Sequence, residues 1–203
     1  MTQVTAVFWD LGGVLLSNGW DHDTRAEAAR RFHLDEKDLQ NRHEELADAF
    51  ETGRMNLDTY LQRAVFYQPR GFTVADFKQF IFEHSTEKPD SRAILEELST
   101  TRCLLLATLN NESVELNLYR IRKFQLTRNF KAFFSSCYMG VRKPNASIYE
   151  RVLAITQRAP EETIFIDDRP ANLEPARCLG IRAVLFQSAA QLRGELASAG
   201  VLS

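Results

Sequence analysis

The sequence predicts an α/β fold, a doubly wound parallel sheet with a small α-helical cap inserted near its start. Three observations predict it. From residue 89 onward, short apolar runs alternate with stretches of helical period, the pattern of parallel strands covered by helices on both faces. Residues 21–87 hold helical repeats and no convincing strand. The apolar run at 4–9 ends in one acid and that at 163–166 in two, and open parallel sheets build their sites beyond the carboxyl ends of their strands. The expected division is a core of residues 1–16 and 88–203 and a cap of residues 17–87.

Val4, Ala6, Val7, Phe8 and Trp9 make the first strand, short and apolar enough to be buried. The cap opens with a weak helix over 23–32, and Leu39, Leu46 and Phe50 mark a second. Leu57, Tyr60, Leu61, Ala64 and Val65 repeat at i, i+3, i+4, i+7 and i+8, one face of a third helix. Val74, Phe77 and Ile81 mark a fourth, and Gln68-Pro69-Arg70-Gly71 separates it from the third. The core resumes with helix 91–99 (Ile94, Leu95, Leu98) and strand 103–107. Helix 112–122 shows Val114, Leu118 and Ile121, and strand 132–136 follows. Helix 145–157 shows Ile148, Val152 and Ile155 and leads to strand 163–166. Helix 171–179 ends at Gly180, a C-cap residue. Strand 182–186 and helix 188–198 close the pattern.

The bulk numbers exclude several classes. The chain has 203 residues, is 44% hydrophobic and carries a net charge of −2, so it can fill one core with a modest appended lobe. No basic face is expected, which argues against nucleic acid and anionic membrane as partners. No window is apolar for the length of a membrane span. The first residues lack the pattern of a signal peptide. Three cysteines, Cys103, Cys137 and Cys178, are an odd number that suits reduced thiols. The expected location is the cytoplasm.

The strand ends carry the chemistry. Strand one ends in Asp10, strand two in Thr108 and the fourth in Asp167-Asp168, while Lys143 sits in Gly140-Val141-Arg142-Lys143-Pro144 before a helix. Each has a bland reading alone. Asp10 suits a turn, Thr108 a helix cap, and Lys143 an exposed loop. The adjacent pair Asp167-Asp168 is less easily dismissed, because two carboxylates after a buried strand repel each other unless a cation relieves them. On one sheet edge, together, these residues form a site.

The four segments resemble the signatures of the haloacid dehalogenase-like (HAD) hydrolase superfamily, whose core is Rossmann-like. "FWDLGGVLL" resembles its first motif, "LLLATLNN" the second, "GVRKPNASIYERVL" the third and "TIFIDDRPANLEPARCLGI" the fourth. The last is similar to the phosphatase domain of soluble epoxide hydrolases, and the chain also resembles sugar-phosphate phosphatases of the superfamily. The resemblance implies a Mg²⁺-dependent phosphatase acting on a small phosphorylated metabolite. Asp10 is then the nucleophile. The carboxylates of Asp10 and Asp168 and the carbonyl of Gly12 hold Mg²⁺, with Asp167 acting through water. Thr108 and Lys143 serve catalysis and, with Gly12, Gly13 and Leu109, bind the phosphoryl group. Asn172 steadies the acidic loop. Glycines let the backbone bend tightly and bring its amides close to a phosphate.

Two departures stand out. Most phosphatases of this superfamily carry a second aspartate two residues after the nucleophile, and here that position is Gly12. The missing acid points to a substrate with a good leaving group, such as an anomeric sugar phosphate or an acyl phosphate, or to a proton supplied by a cap residue or by water. Leu109 stands where relatives often have asparagine, and Asn110 or Asn111 is left to replace that amide. A metal-independent dehalogenase and a non-catalytic ligand-binding relative remain as alternatives. Asn18, Trp20, Tyr67 and His84 are the cap residues placed to select a substrate, although Trp20 and Tyr67 are better suited to packing between cap and core. The four histidines, His22, His33, His43 and His84, show no metal spacing and read as solvated. Arg120-Ile121-Arg122-Lys123 reads as a helix end favoured by the helix dipole.

Overall fold

The structure, a computed structural model, describes residues 2–101 and 103–202. Five parallel strands form one sheet in the order β3-β2-β1-β4-β5. They are β1 (Ala6–Trp9), β2 (Leu105–Asn110), β3 (Ala132–Ser135), β4 (Thr163–Asp167) and β5 (Arg182–Leu185). Helices α1 (His22–Arg31), α2 (Glu36–Glu51), α3 (Leu57–Ala64) and α4 (Val74–Glu83) lie between β1 and α5 (Pro89–Ser99) in sequence. Then come α6 (Val114–Lys123), α7 (Ser136–Met139), α8 (Ala146–Thr156), α9 (Pro170–Cys178) and α10 (Ala189–Ser198).

The sheet is covered on both faces, as alternation along each strand requires. Val7, Trp9, Leu106, Ile164 and Ile166 pack with Ile94, Leu95 and Leu98 of α5 and Leu192 and Leu196 of α10. Ala6, Phe8, Ala107, Leu109 and Phe165 pack with α8 through Ile148, Tyr149 and Val152, and with α9 through Leu173 and Ala176. Helices α1–α4 bury a separate cluster rich in aromatics, including Phe50, Tyr60 and Phe77, which Leu116 of α6 joins. Two connecting segments run side by side at its base. Leu16 and Glu87 bridge antiparallel, Ser17 N donates to Thr86 O at 2.8 Å, and Lys88 N donates to Leu15 O at 2.9 Å.

Element order and type agree with the sequence expectation except at α7, an unanticipated short helix that begins at Ser136, the residue expected to end the third strand, and Gly180 closes α9 at φ +89. Three details differ. Strand two neither starts at Cys103 nor stops at Thr108; it runs from Leu105 to Asn110. Polar residues can end it inside the sheet because they satisfy one another: the Ser135 hydroxyl lies 3.0 Å from Asn110 Oδ1 and 2.9 Å from Asn117 Oδ1. The buried face of α6 is Leu116, Asn117 and Arg120, not Val114, Leu118 and Ile121, and Leu118 is 36% exposed. That face is chosen by polar partners below the helix rather than by hydrophobicity. Ile155, expected on the buried face of α8, is 60% exposed.

Candidate active site

Asp10 follows the last residue of β1, and its amide donates to Ile166 O at 2.9 Å, locking it to β4. The residue is 8% exposed. The chain then turns sharply: Gly13 has φ +76, a value natural to glycine, and its amide donates to Leu16 O at 2.8 Å. A Cβ at Gly13 would fall inside the Asp168 carboxylate. The side chain of Lys88 donates to the Gly13 carbonyl.

Lys143 enters from the loop before α8. Asn111 clasps its backbone, accepting from Lys143 N through Oδ1 and donating to Lys143 O through Nδ2, both at 2.9 Å. The fully buried ammonium donates to Asp10 Oδ1 at 2.9 Å, Leu109 O at 2.9 Å and Asp167 Oδ2 at 2.6 Å. Asp167 is held from its other side by Arg169 N at 2.8 Å and by Asn172 Nδ2, 3.0 Å from each carboxylate oxygen. Asp168 is half-buried, and its Oδ1 has no hydrogen-bond partner among the described residues. Carboxylate oxygens of Asp10, Asp167 and Asp168 lie within 4.8 Å of one another.

Three acids and one ammonium leave excess negative charge in a desolvated place. Burial pushes Asp10 up to about 7; Lys143 opposes this, while Asp167 and Asp168 add to it. Asp168 is raised by burial and then by Asp167. Burial alone would lower Lys143, but Asp10 and Asp167 outweigh it and hold the ammonium charged. A hard divalent cation among these oxygens would relieve the repulsion.

A cavity of about 330 Å³ opens beside Asp10. Gly12, Asn18, Trp20, Lys143 and Asn172, all named from the sequence, line it. Thr108 does not line it. It stands in register with Trp9, one step short of Asp10, and alternation turns it to the Val7–Trp9 face. Its hydroxyl is buried with no partner among the described residues. Leu109 is buried on the Asp10 face, where its carbonyl serves Lys143. Tyr67 is 41% exposed and donates to Asp38 Oδ2 at 2.6 Å. His84 caps α4, its Nδ1 2.7 Å from Phe80 O, and neither residue lines the cavity.

Several lining residues were not singled out from sequence. Arg120, read as part of a helix end favoured by the helix dipole, is 2% exposed. It meets Glu112 Oε2 at 2.9 Å and donates to the carbonyls of Ser17 and Asn18 and to Ser85 Oγ. Burial raises Glu112 to about 7 despite Arg120. Arg142 meets Glu51 Oε2 at 2.8 Å across the cavity wall. His43, read as solvated, is buried, and burial lowers it to about 3. The one sequence signal for Arg120 and Glu112 is that they sit in or just before an amphipathic helix next to the second strand; it does not distinguish a buried ion pair from a solvated one.

The family model for haloacid dehalogenase-like hydrolases matches residues 4–180. Bifunctional epoxide hydrolase 2 of Rattus norvegicus is 28% identical over 131 residues, covering 63% of this chain and 24% of that protein. The chain thus spans about a quarter of that relative's length. A sesquiterpene phosphatase of Aspergillus oryzae is 26% identical over 185 residues, covering 89% of this chain and 88% of that one. A HAD family enzyme of Bacteroides thetaiotaomicron has a fold similar at TM-score 0.79 and 19% identity, over 92% of this chain and 95% of its own. With the family match running from the first strand to the end of α9, the chain belongs to the haloacid dehalogenase-like hydrolases.

Proposed function

We propose that the protein is a Mg²⁺-dependent phosphatase of a small phosphorylated metabolite, with Asp10 as nucleophile and helices α1–α4, residues 17–87, as the cap over the site. The observation that carries this is the Lys143 ammonium bridging Asp10 and Asp167 beside an Asp168 oxygen that no described residue satisfies. Asp10, Asp168 and the Gly12 carbonyl would hold the ion, with Asp167 through water. When bound, it would neutralise phosphoryl charge and let a carboxylate approach. The orphaned Asp168 oxygen and the all-oxygen donor set fit such a cation. A structure of the Bacteroides enzyme contains magnesium and inorganic phosphate, and the Aspergillus relative is a phosphatase by name.

Lys143 aims Asp10 and neutralises charge on the transferring group. An Asp10 oxygen attacks phosphorus, and the bond to the leaving oxygen breaks. Water then attacks phosphorus of the aspartyl-phosphate, restoring Asp10 and releasing phosphate. Position 12 offers no acid to protonate the leaving group. Positioned acid catalysis is worth roughly 10²–10⁴ in rate, so leaving groups that depart without much protonation are favoured. Thr108, turned away from the cavity, takes no part in this reading, and Leu109 contributes its backbone carbonyl to Lys143.

A metal-free dehalogenase reading gains nothing from Asp167 and Asp168 together, since the crowding of three acids is a cost without a cation. The test is a screen of sugar, nucleotide and acyl phosphates with Mg²⁺ and with chelator. Turnover that needs Mg²⁺, is lost in Asp10→Asn and is faster on anomeric than on alkyl esters is the expected result. Metal-independent release of halide from a 2-haloacid would replace the reading.

A further inference from the structure

We propose that His43 is a specificity residue for this reaction: its Nε2–H, fixed as a directed donor by Tyr60 and Trp20, binds an uncharged hydroxyl oxygen on the leaving group. The inference rests on the phosphatase reading and names the substrate class, monophosphates of hydroxylated alcohols.

The argument is one of counting protons. Trp20 Nε1 lies 2.8 Å from Tyr60 Oη, and His43 Nδ1 lies 2.8 Å from the same oxygen. Tyr60 is fully buried, so its single proton needs an acceptor. An indole N–H donates only, and among the described residues Nδ1 is the remaining atom bonded to that hydroxyl. Tyr60 therefore accepts from Trp20 and donates to Nδ1. The imidazole proton is left on Nε2.

The neighbours hold this state. Burial, then Arg25 and Arg142, disfavour a charged ring. Phe50 stacks on Tyr60 with ring centroids 4.1 Å apart and keeps the phenol in place. Among the described residues no hydrogen bond reaches His43 Nε2, and His43 is one of the residues lining the cavity that Asp10 also lines.

The nearby cations select a neutral acceptor. Arg25 is committed to Gln40 Oε1 at 2.7 Å and to the Trp20 carbonyl at 2.6 Å. Arg142 is committed to Glu51. Arg25 and Arg142, the cations whose charge reaches His43, are thus both partnered and offer an anion beside it no unpaired charge among the described residues, while Arg169, elsewhere in the cavity lining, has no side-chain partner there. A hydroxyl oxygen needs only the donor, and Trp20 and Phe50 in the same wall suit the C–H surface of a polyol.

The experiment has two arms. Nitrogen-15 NMR of imidazole-labelled protein reads the tautomer of His43 without any turnover. The expected signature is a neutral Nε2–H ring from about pH 5 to 8, the range where an ordinary histidine titrates, and Tyr60→Phe should mix the tautomers. A ring protonated on Nδ1, or charged in that range, overturns the proposal. The second arm compares kcat/KM for glycerol 2-phosphate and isopropyl phosphate with Mg²⁺. Wild type should prefer the hydroxylated ester. His43→Leu should cut that preference about tenfold, the worth of a well-made hydrogen bond, and Tyr60→Phe, which keeps the ring, should cut it partly. An unchanged preference in both variants overturns the role in specificity. Failure of wild type to hydrolyse any phosphate ester overturns the phosphatase reading and the substrate class, while the imidazole signature still decides the donor.

Discussion

Lys143 shows how much one side chain can hold. Its ammonium is the sole side-chain cation bonded to both Asp10 and Asp167 among the described residues. Lys143→Met leaves two buried carboxylates unpaired, a change that costs about 3–5 kcal/mol in comparable sites. The expected outcome in metal-free protein is a urea midpoint lowered accordingly at pH 7 and lowered less at pH 5, where the acids can protonate. His43 makes a second prediction with the same direction of pH dependence but a different cause. Its pKa falls from an ordinary 6.5 to about 3 on folding. Below pH 6.5 the unfolded chain takes up a proton that the folded chain refuses, so its stabilising contribution is complete above 6.5 and is lost as pH falls toward 3. The difference in unfolding free energy between wild type and His43→Gln should shrink by about 1.4 kcal/mol per pH unit across that window. A difference that stays constant from pH 7 to 5 would show that the ring takes up its proton as readily in the fold as in the unfolded chain. Sequence placed Asp10, Lys143 and the acid pair on one edge, but not His43, whose burial depends on α3 supplying Tyr60.

Elements were legible where one physical signal dominates. Helix α4 is an example: Thr73 opens it, and Asp76 completes a capping box, with Asp76 N on Thr73 Oγ1 at 3.1 Å and Thr73 N on Asp76 Oδ2 at 2.9 Å. Thr73→Ala should lower stability by about 1 kcal/mol and leave turnover unchanged, because the cap is exposed and lines no part of the cavity. Chemical denaturation with a parallel activity assay checks both halves. Helix α6 is the counter-example. Its apolar residues suggested one buried face, yet Arg120 and Asn117 are buried and Leu118 is not. Periodicity reads hydrophobic faces, and this helix is seated by hydrogen bonds to Ser17, Asn18 and Ser85. Strand β2 was read too short for the same reason, since Asn110 continues it as a polar residue satisfied inside the sheet.

At the scale of the molecule, Arg120 links α6 to both segments that connect α1–α4 to the sheet: Ser17 and Asn18 on one, Ser85 on the other. Its partner Glu112 is nearly as buried. Glu112→Met alone strands a buried guanidinium and should cost about 3–5 kcal/mol, whereas the double change Arg120→Met with Glu112→Met should cost less than either single change. Urea unfolding of the three variants measures it. Additive losses would show that the two side chains act separately. Ion binding is also a property of the whole fold, because the three acids meet only when β1 and β4 pair. Saturating Mg²⁺ at 100 times its dissociation constant should stabilise the wild-type protein by about 2.7 kcal/mol, and Asp168→Asn should remove most of that gain in a thermal shift.

The sequence by itself determined the alternation of strands and helices, the run of helices after β1, and the positions of Asp10, Lys143, Asp167 and Asp168. These are local facts: apolar period, turn residues, and acids at the ends of short apolar runs. Tertiary structure alone decided which side chains share the cavity. Thr108 turns away because register pairs it with Trp9, and Arg120, Glu112 and His43 turn inward because partners distant in sequence satisfy them. Burial of a polar group is stable only where its hydrogen-bond partners converge, and that convergence is a property of three-dimensional packing that no single stretch of chain contains.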